Sequence, residues 1–253
     1  MLTHRRLMLS LVKRDILARY RGSFGGALWA VLTPFLLMAT YFFVFGVVLK
    51  TRFSADASGT GYVLYFLAGM LPWLAFSEAV GRAPTIILEH RTLVKKVVFP
   101  LEILPPNLVL SGLLTEAIGA AIFLIGLFVI RGAVPVSALW LPVLLVPQVL
   151  LTSGLAWLLA ATGVFVRDLG QVIGFLLTLW FFLTPICYEE RADLPLLALN
   201  PIYVLVRGYR AVLLQNISPW SPGLAWLWVG SLVVALLGYA WFHRLRKSFA
   251  DVI

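Results

Sequence analysis

Apolar residues in this chain come in long uninterrupted blocks, with neither the strict alternation of strands nor the one-sided stripe of soluble helices. Charge-free runs cover residues 29–49, 57–77, 117–130, 132–166 and 169–188. Most reach the length of about 20 residues that crosses a hydrocarbon core as a helix. They predict an all-α integral membrane protein with six transmembrane helices, at 29–49, 62–80, 103–130, 139–165, 169–188 and 224–242. Pro34 and Pro72 fall inside the first two spans, where neighbouring helices can satisfy the freed carbonyls.

Three segments outside the spans have their own patterns. Over residues 4–22 a helical wheel puts Arg6, Ser10, Lys13, Arg14 and Arg21 on one side and Leu7, Met8, Leu11, Val12 and Ile16 on the other. Asp15 interrupts the apolar side and Leu17 the polar one. This predicts an amphipathic helix lying in the membrane interface. Residues 81–102 read GRAPTIILEHRTLVKKVVFPLE. Pro84 can open a short helix and Pro100 stops it, which predicts a cationic helix over 84–97 between spans two and three. Residues 190–220 carry Pro195, Pro201 and Pro219, and their apolar runs are too short to span. They predict two short helices dipping into the far leaflet or lying on it.

Composition sharpens this picture. Of 253 residues, 61% are hydrophobic and 12% charged, against about 25% charged in soluble proteins. One soluble core of this size could not bury that excess. The chain is thus a single polytopic membrane domain over 1–253. One cysteine, Cys187, leaves no disulfide framework and no thiolate metal site. The net charge of +9 reports topology before it suggests nucleic acid. Six spans place fourteen of the 20 Lys and Arg residues on the side of the two termini and six on the other, so both termini are expected in the cytoplasm. The basic N-terminal stretch is too long for a cleavable signal peptide.

Catalytic signatures are missing from the sequence. It has no G-x-x-x-x-G-K-[ST], no H-E-x-x-H and no G-x-S-x-G. His4, His90 and His243 are far apart, so no metal site is expected. Two acids fall within spans, where ionisable residues are functional hypotheses by default. Glu78 can pair with Arg82 one turn on; Glu116 can serve packing or line a pathway. Tyr41, Phe42 and Phe45 in the first span and Trp180, Phe181 and Tyr188 in the fifth form aromatic clusters. They fit lipid contact and packing, and they also fit a wall on which sugar rings slide. The 84–97 segment reads either as a plain basic loop or as a handle for a cytoplasmic partner.

Several stretches, in order, resemble the membrane subunits of type-2 polysaccharide-exporting ABC transporters. They are Arg19-Tyr20-Arg21-Gly22-Ser23 before Leu28-Trp29-Ala30, Leu93-Val94-Lys95-Lys96 with Phe99-Pro100-Leu101-Glu102, and Phe165-Val166-Arg167-Asp168-Leu169. Thr184-Pro185-Ile186-Cys187-Tyr188, Leu199-Asn200-Pro201 and the tail Arg244-Leu245-Arg246-Lys247-Ser248-Phe249-Ala250-Asp251 follow. Gly25-Gly26 departs from the Leu-Gly usual in that family. The resemblance implies a homodimeric channel in the bacterial inner membrane that exports a glycan on undecaprenyl diphosphate, O-antigen foremost. Two separate ATPase subunits would supply ATP and Mg, and this chain would bind no cofactor and no nucleic acid. The resemblance further implies a substrate entrance and gate at Arg19, Tyr20, Arg21, Gly25 and Gly26. It puts a channel wall at Tyr41, Phe42, Phe45, Trp180, Phe181 and Tyr188, and ATPase coupling at Glu89, Arg91, Lys95 and Lys96. The 190–220 helices would gate the exit.

Other functions fit the residues less well. A drug or lipid exporter permease would share the architecture but match the FPLE and RLRKSFAD stretches poorly. Teichoic acid and capsule exporters are close relatives within the resemblance. An intramembrane enzyme needs clustered acids or metal ligands, and the acids here are scattered. A non-catalytic assembly subunit would lack an ATPase partner.

Overall fold

The computed structural model describes residues 10–12, 14–15, 26–48, 59–91, 99–188, 190, 197 and 199–252. All elements among them are helical. They are α1 (Trp29–Tyr41), α2 (Gly59–Arg82), α3 (Ile86–Glu89), α4 (Leu104–Arg131), α5 (Leu141–Gly163), α6 (Leu169–Leu183), α7 (Pro201–Arg210), α8 (Pro222–Leu245) and α9 (Phe249–Val252).

Local chemistry sets the helix ends. Proline opens α4, α5, α7 and α8, where its missing N–H costs nothing. Asn200 caps α7 by accepting from the N–H groups of Ile202 and Tyr203, and Ser221 caps α8 through Leu224. Gly132 closes α4 in the left-handed region at φ 73°, donating its N–H to Phe128 O at 2.8 Å.

Two predicted spans end early. The first leaves α geometry at Tyr41 and continues as a π-helical stretch, Phe42–Val48. The fifth stops at Leu183 instead of 188. Thr184 is extended, at ψ 128°, because it precedes Pro185, which disfavours helical backbone there. Four described helical stretches are long and apolar enough to cross a membrane: Gly61–Glu89, Leu101–Arg131, Val136–Gly163 and Pro222–Ser248. The first and fifth predicted spans correspond to the shorter apolar helices Trp29–Val44 and Leu169–Leu183. Of the two short helices predicted over 190–220, the described residues contain one, α7, extended by the π turn Ala211–Gln215.

Packing ranks these helices. The apolar windows of Gly61–Glu89 and Val136–Gly163 are 78% and 61% buried, against 22% and 28% for Leu101–Arg131 and Pro222–Ser248. Thus α2 and α5 form the centre, with α4 and α8 outside them. No residue of α6 is buried. Lipid tails are as apolar as leucine, so close helix contact must come from small residues and dispersion. The α5–α8 crossing shows this: a Cβ added to Gly238 would stand 2.0 Å from the Gly154 carbonyl oxygen.

Candidate functional site

Two polar constellations, one at an end of the bundle and one reaching its middle, each gather motifs that are far apart in sequence. At the first end, α2 runs into a 3₁₀ turn, Ala83–Thr85, and then α3. The turn presses on the end of α5, where a Cβ on Gly163 would lie 2.1 Å from Pro84 O. Ile86 and Ile87 are buried beneath it, while Glu89 and Arg91 are exposed. Thr85 donates to the Glu89 carboxylate at 2.7 Å, so the acid is held at the surface. This end therefore presents an anchored apolar underside and a charged outer face.

Other motifs close around it. Arg246 donates to Glu102 at 3.1 Å, and Trp157 Nε1 donates to Glu102 O at 2.9 Å. Phe249, fully buried, packs against Phe242 and Phe165 with ring centroids at 5.5 and 6.2 Å. The FPLE, FVRDL and RLRKSFAD stretches thus converge on one place. Arg82 gives both ends of its fork to Asp15, at 3.0 and 3.2 Å. Arg82 also feels the charge of Glu78 one turn before it, as expected, and Asp15 is a further partner that the sequence did not reveal. The pair with Asp15 explains why an acid interrupts the apolar side of the N-terminal segment: Asp15 faces α2.

In the second constellation, α7 is the hub. Tyr209 donates its hydroxyl to the Glu116 carboxylate of α4 and stands 3.0 Å from Gln148 Oε1 of α5. Gln148 Nε2 donates to the other Glu116 oxygen at 2.7 Å. All three side chains are buried. Glu116 therefore ties three helices together, and both its carboxyl oxygens are met by directed donors. The next residue, Arg210, points elsewhere and is also buried. It donates to the carbonyls of Pro185, Ile186 and Tyr65 at 2.7, 3.1 and 3.2 Å. Its guanidinium lies 3.3 Å from the centre of the Tyr65 ring. Tyr62 donates to Cys187 O at 2.6 Å. The non-helical TPIC segment after α6 thus has its carbonyls satisfied by α2 and α7, as irregular backbone at membrane depth requires.

Asn200 completes this knot. Besides capping α7, its Oδ1 accepts from Trp180 Nε1 at 2.9 Å, and its Nδ2 donates to Thr184 at 2.9 Å. The LTPICY and LNP stretches are therefore one structural unit. Sequence reading missed Tyr209, Gln148 and Arg210 as partners; the Asn-Pro pair at 200–201 carried a readable cap signal.

The predicted channel residues divide into two groups. Trp180 and Phe181 pack against Phe76 and Trp73 of α2, with centroids at 5.3 and 5.5 Å. Tyr41 meets Phe66 of α2 edge-on at 4.7 Å. These three join helices together. Phe42 and Tyr188 are exposed, at 40% and 38%, as is Phe182 at 62%. Gly26 adopts a positive φ of 49°. Arg19, Tyr20, Arg21, Gly25, Lys95 and Lys96, with the side chain of Phe45, lie outside the described residues, and so do most of the predicted 4–22 helix and the second half of the 84–97 helix. Among the described residues, no three of His, Cys, Asp and Glu gather closely enough to hold a metal.

A sequence family described as ABC-2 type transporter matches residues 6–214. The chain belongs to the ABC-2 type transporter family. It is 35% identical to the O-antigen export system permease protein RfbA of Myxococcus xanthus, over 99% of this chain and 96% of the relative. Two Klebsiella pneumoniae proteins of the same name are 24% and 23% identical, each over 98% of this chain and 95% of the relative. The family makes this chain a membrane permease subunit, and its motif stretches are the ones that knit the two constellations.

Proposed function

We propose that the chain is the permease half of a homodimeric exporter in the bacterial inner membrane, with six spans and both termini cytoplasmic. Its cargo is a glycan carried on undecaprenyl diphosphate, with O-antigen the first choice. Two ATPase subunits dock on the first end and bind the ATP and Mg. The observation that carries this reading is the near-full-length similarity to permeases named for O-antigen export.

Features of the fold support the division of labour. Helices α1 and α6 are the shortest of the apolar set, and α6 buries none of its residues in its own fold. Two copies meeting along these helices would enclose a channel, and exposed Phe42 and Phe182 would stand on its wall. The first end offers Glu89 and Arg91, and in sequence Lys95 and Lys96, as the coupling face. Its buried isoleucines and the Pro84–Gly163 contact would pass a push from the ATPase straight into α2 and α5. Arg19, Tyr20, Arg21, Gly25 and Gly26 would form the cytoplasmic entrance, where arginine suits a diphosphate.

Co-expression with the neighbouring ATPase gene tests this. A stable complex with equal amounts of both subunits, whose ATP hydrolysis rises with lipid-linked glycan, is the expected result. A chain that purifies alone and leaves hydrolysis unchanged would overturn it.

A further inference from the structure

The described residues of the N-terminal segment meet the bundle along one face. Leu11 is buried and Asp15, one helical turn on, pairs with α2, while Ser10 and Arg14 are exposed. An amphipathic helix on a membrane has little to fix its position, because its apolar side meets lipid and helix surface on nearly equal terms. A guanidinium fork on a carboxylate does fix it, since two directed bonds must be kept at once. Arg82 gives such a fork to Asp15, at 3.0 and 3.2 Å. Arg82 is also the last residue of α2 and leads into the turn Ala83–Thr85. Ala83 and Pro84 are buried, and Pro84 presses on Gly163 of α5, so the turn is a rigid block. Thr85 Oγ1 lies 3.2 Å from Arg82 O and donates to Glu89 at 2.7 Å. The Glu89 charge acts on Arg82 as well. One unbroken chain of contacts therefore runs from exposed Glu89, through Thr85 and Arg82, to Asp15. Only three residues separate Asp15 from Arg19, Tyr20 and Arg21.

We propose that Arg82 is a positioning residue that carries motion of the ATPase-docking face into the N-terminal segment. A push on α3 shifts the turn. Arg82 shifts with it and draws Asp15, and the entrance residues beyond Asp15 move in step. The buried isoleucines serve α2 and α5; the Arg82–Asp15 pair serves the entrance. Arg82 acts through Asp15 and needs no contact with nucleotide or glycan. Arginine suits the task because its planar fork sets direction as well as distance, which the point charge of a lysine does not. The inference rests on the ATPase docking and the entrance proposed above.

The test uses the full chain in complex with its ATPase subunit in nanodiscs. Trypsin cleavage after Arg14, which is exposed, is timed by mass spectrometry with and without ATP, Mg and vanadate. In the wild-type complex the rate should change about fivefold or more when nucleotide is added, the low end of coupling between two sites. In Asp15→Asn and in Arg82→Gln the rate should be the same in both conditions. The subunits should still purify in equal amounts with a nearly unchanged melting temperature, because the pair is partly exposed. Glycan-stimulated ATP hydrolysis should fall by a similar factor in both variants. Asp15→Glu keeps the carboxylate and should keep the nucleotide effect, and the exchange Asp15→Arg with Arg82→Asp should restore it. A pair that only braces the fold would lower the melting temperature when broken and leave the nucleotide effect in place. Wild-type cleavage that ignores nucleotide, or single variants that keep the wild-type response, would overturn the proposal; an intact ATPase complex stimulated by glycan then leaves the exporter reading standing. A wild-type chain that binds no ATPase subunit would overturn both.

Discussion

Replacing Tyr209 with phenylalanine removes one oxygen and leaves the ring, so the buried space stays filled. What is lost is the donor to Glu116, in a knot where Glu116, Gln148 and Tyr209 are 5%, 2% and 1% exposed. A hydrogen bond contributes about 0.5–1.5 kcal/mol in water-soluble proteins, and about 1.5–3 where the acceptor is ionised. Membrane bundles return less, about 0.6 on average and 1.7 at most, because the unfolded helices also find partners in lipid. The Glu116 carboxylate keeps Gln148 Nε2 at 2.7 Å, which limits the damage. Tyr209→Phe should therefore cost about 1–2 kcal/mol. Equilibrium unfolding in mixed micelles, followed by tryptophan fluorescence, gives the difference. Glu116→Gln completes the comparison: if Tyr209 acts through the carboxylate, the double variant should lose less than the sum of the singles. Wild-type stability for Tyr209→Phe, or strict additivity in the double variant, would refute the idea that this knot holds α7 to α4 and α5.

Six other variants have definite expected outcomes. Trp180→Ala should cost about 3–5 kcal/mol and lower abundance, because Trp180 packs on Phe76 and donates to Asn200; Phe182→Ala should keep abundance and slow the export of long chains, read as surface glycan length. Gly238→Ala should destabilise by about 1–3 kcal/mol through the clash with Gly154 O, whereas Gly126→Ala meets open space and should leave the melting temperature unchanged or raised. Asp15→Asn should change global stability by less than about 1 kcal/mol, since the pair with Arg82 is partly exposed, yet speed proteolysis of the N-terminal segment. Lys95→Glu with Lys96→Glu should leave folding intact and lower glycan-stimulated ATP hydrolysis; unchanged hydrolysis would remove those lysines from the coupling face.

The apolar blocks determined on their own that this chain is helical and membrane-embedded. A backbone in lipid must satisfy its polar groups within each segment, and that rule acts residue by residue along the chain. The helix start at Pro201 was equally local, because proline and its capping neighbour Asn200 act within one turn. Tertiary structure decided everything that needed two segments at once. Glu116 was ambiguous in sequence, since its role depends on Tyr209 and Gln148, which lie 93 and 32 residues away. Asp15 looked like a fault in an amphipathic pattern until Arg82 stood opposite it. The aromatic clusters read as one kind of residue, and only packing separated Tyr41, Trp180 and Phe181, which grip α2, from Phe42 and Phe182, which face outward. In lipid the two faces of such a helix are equally apolar, so hydrophobicity cannot tell a packed face from an open one.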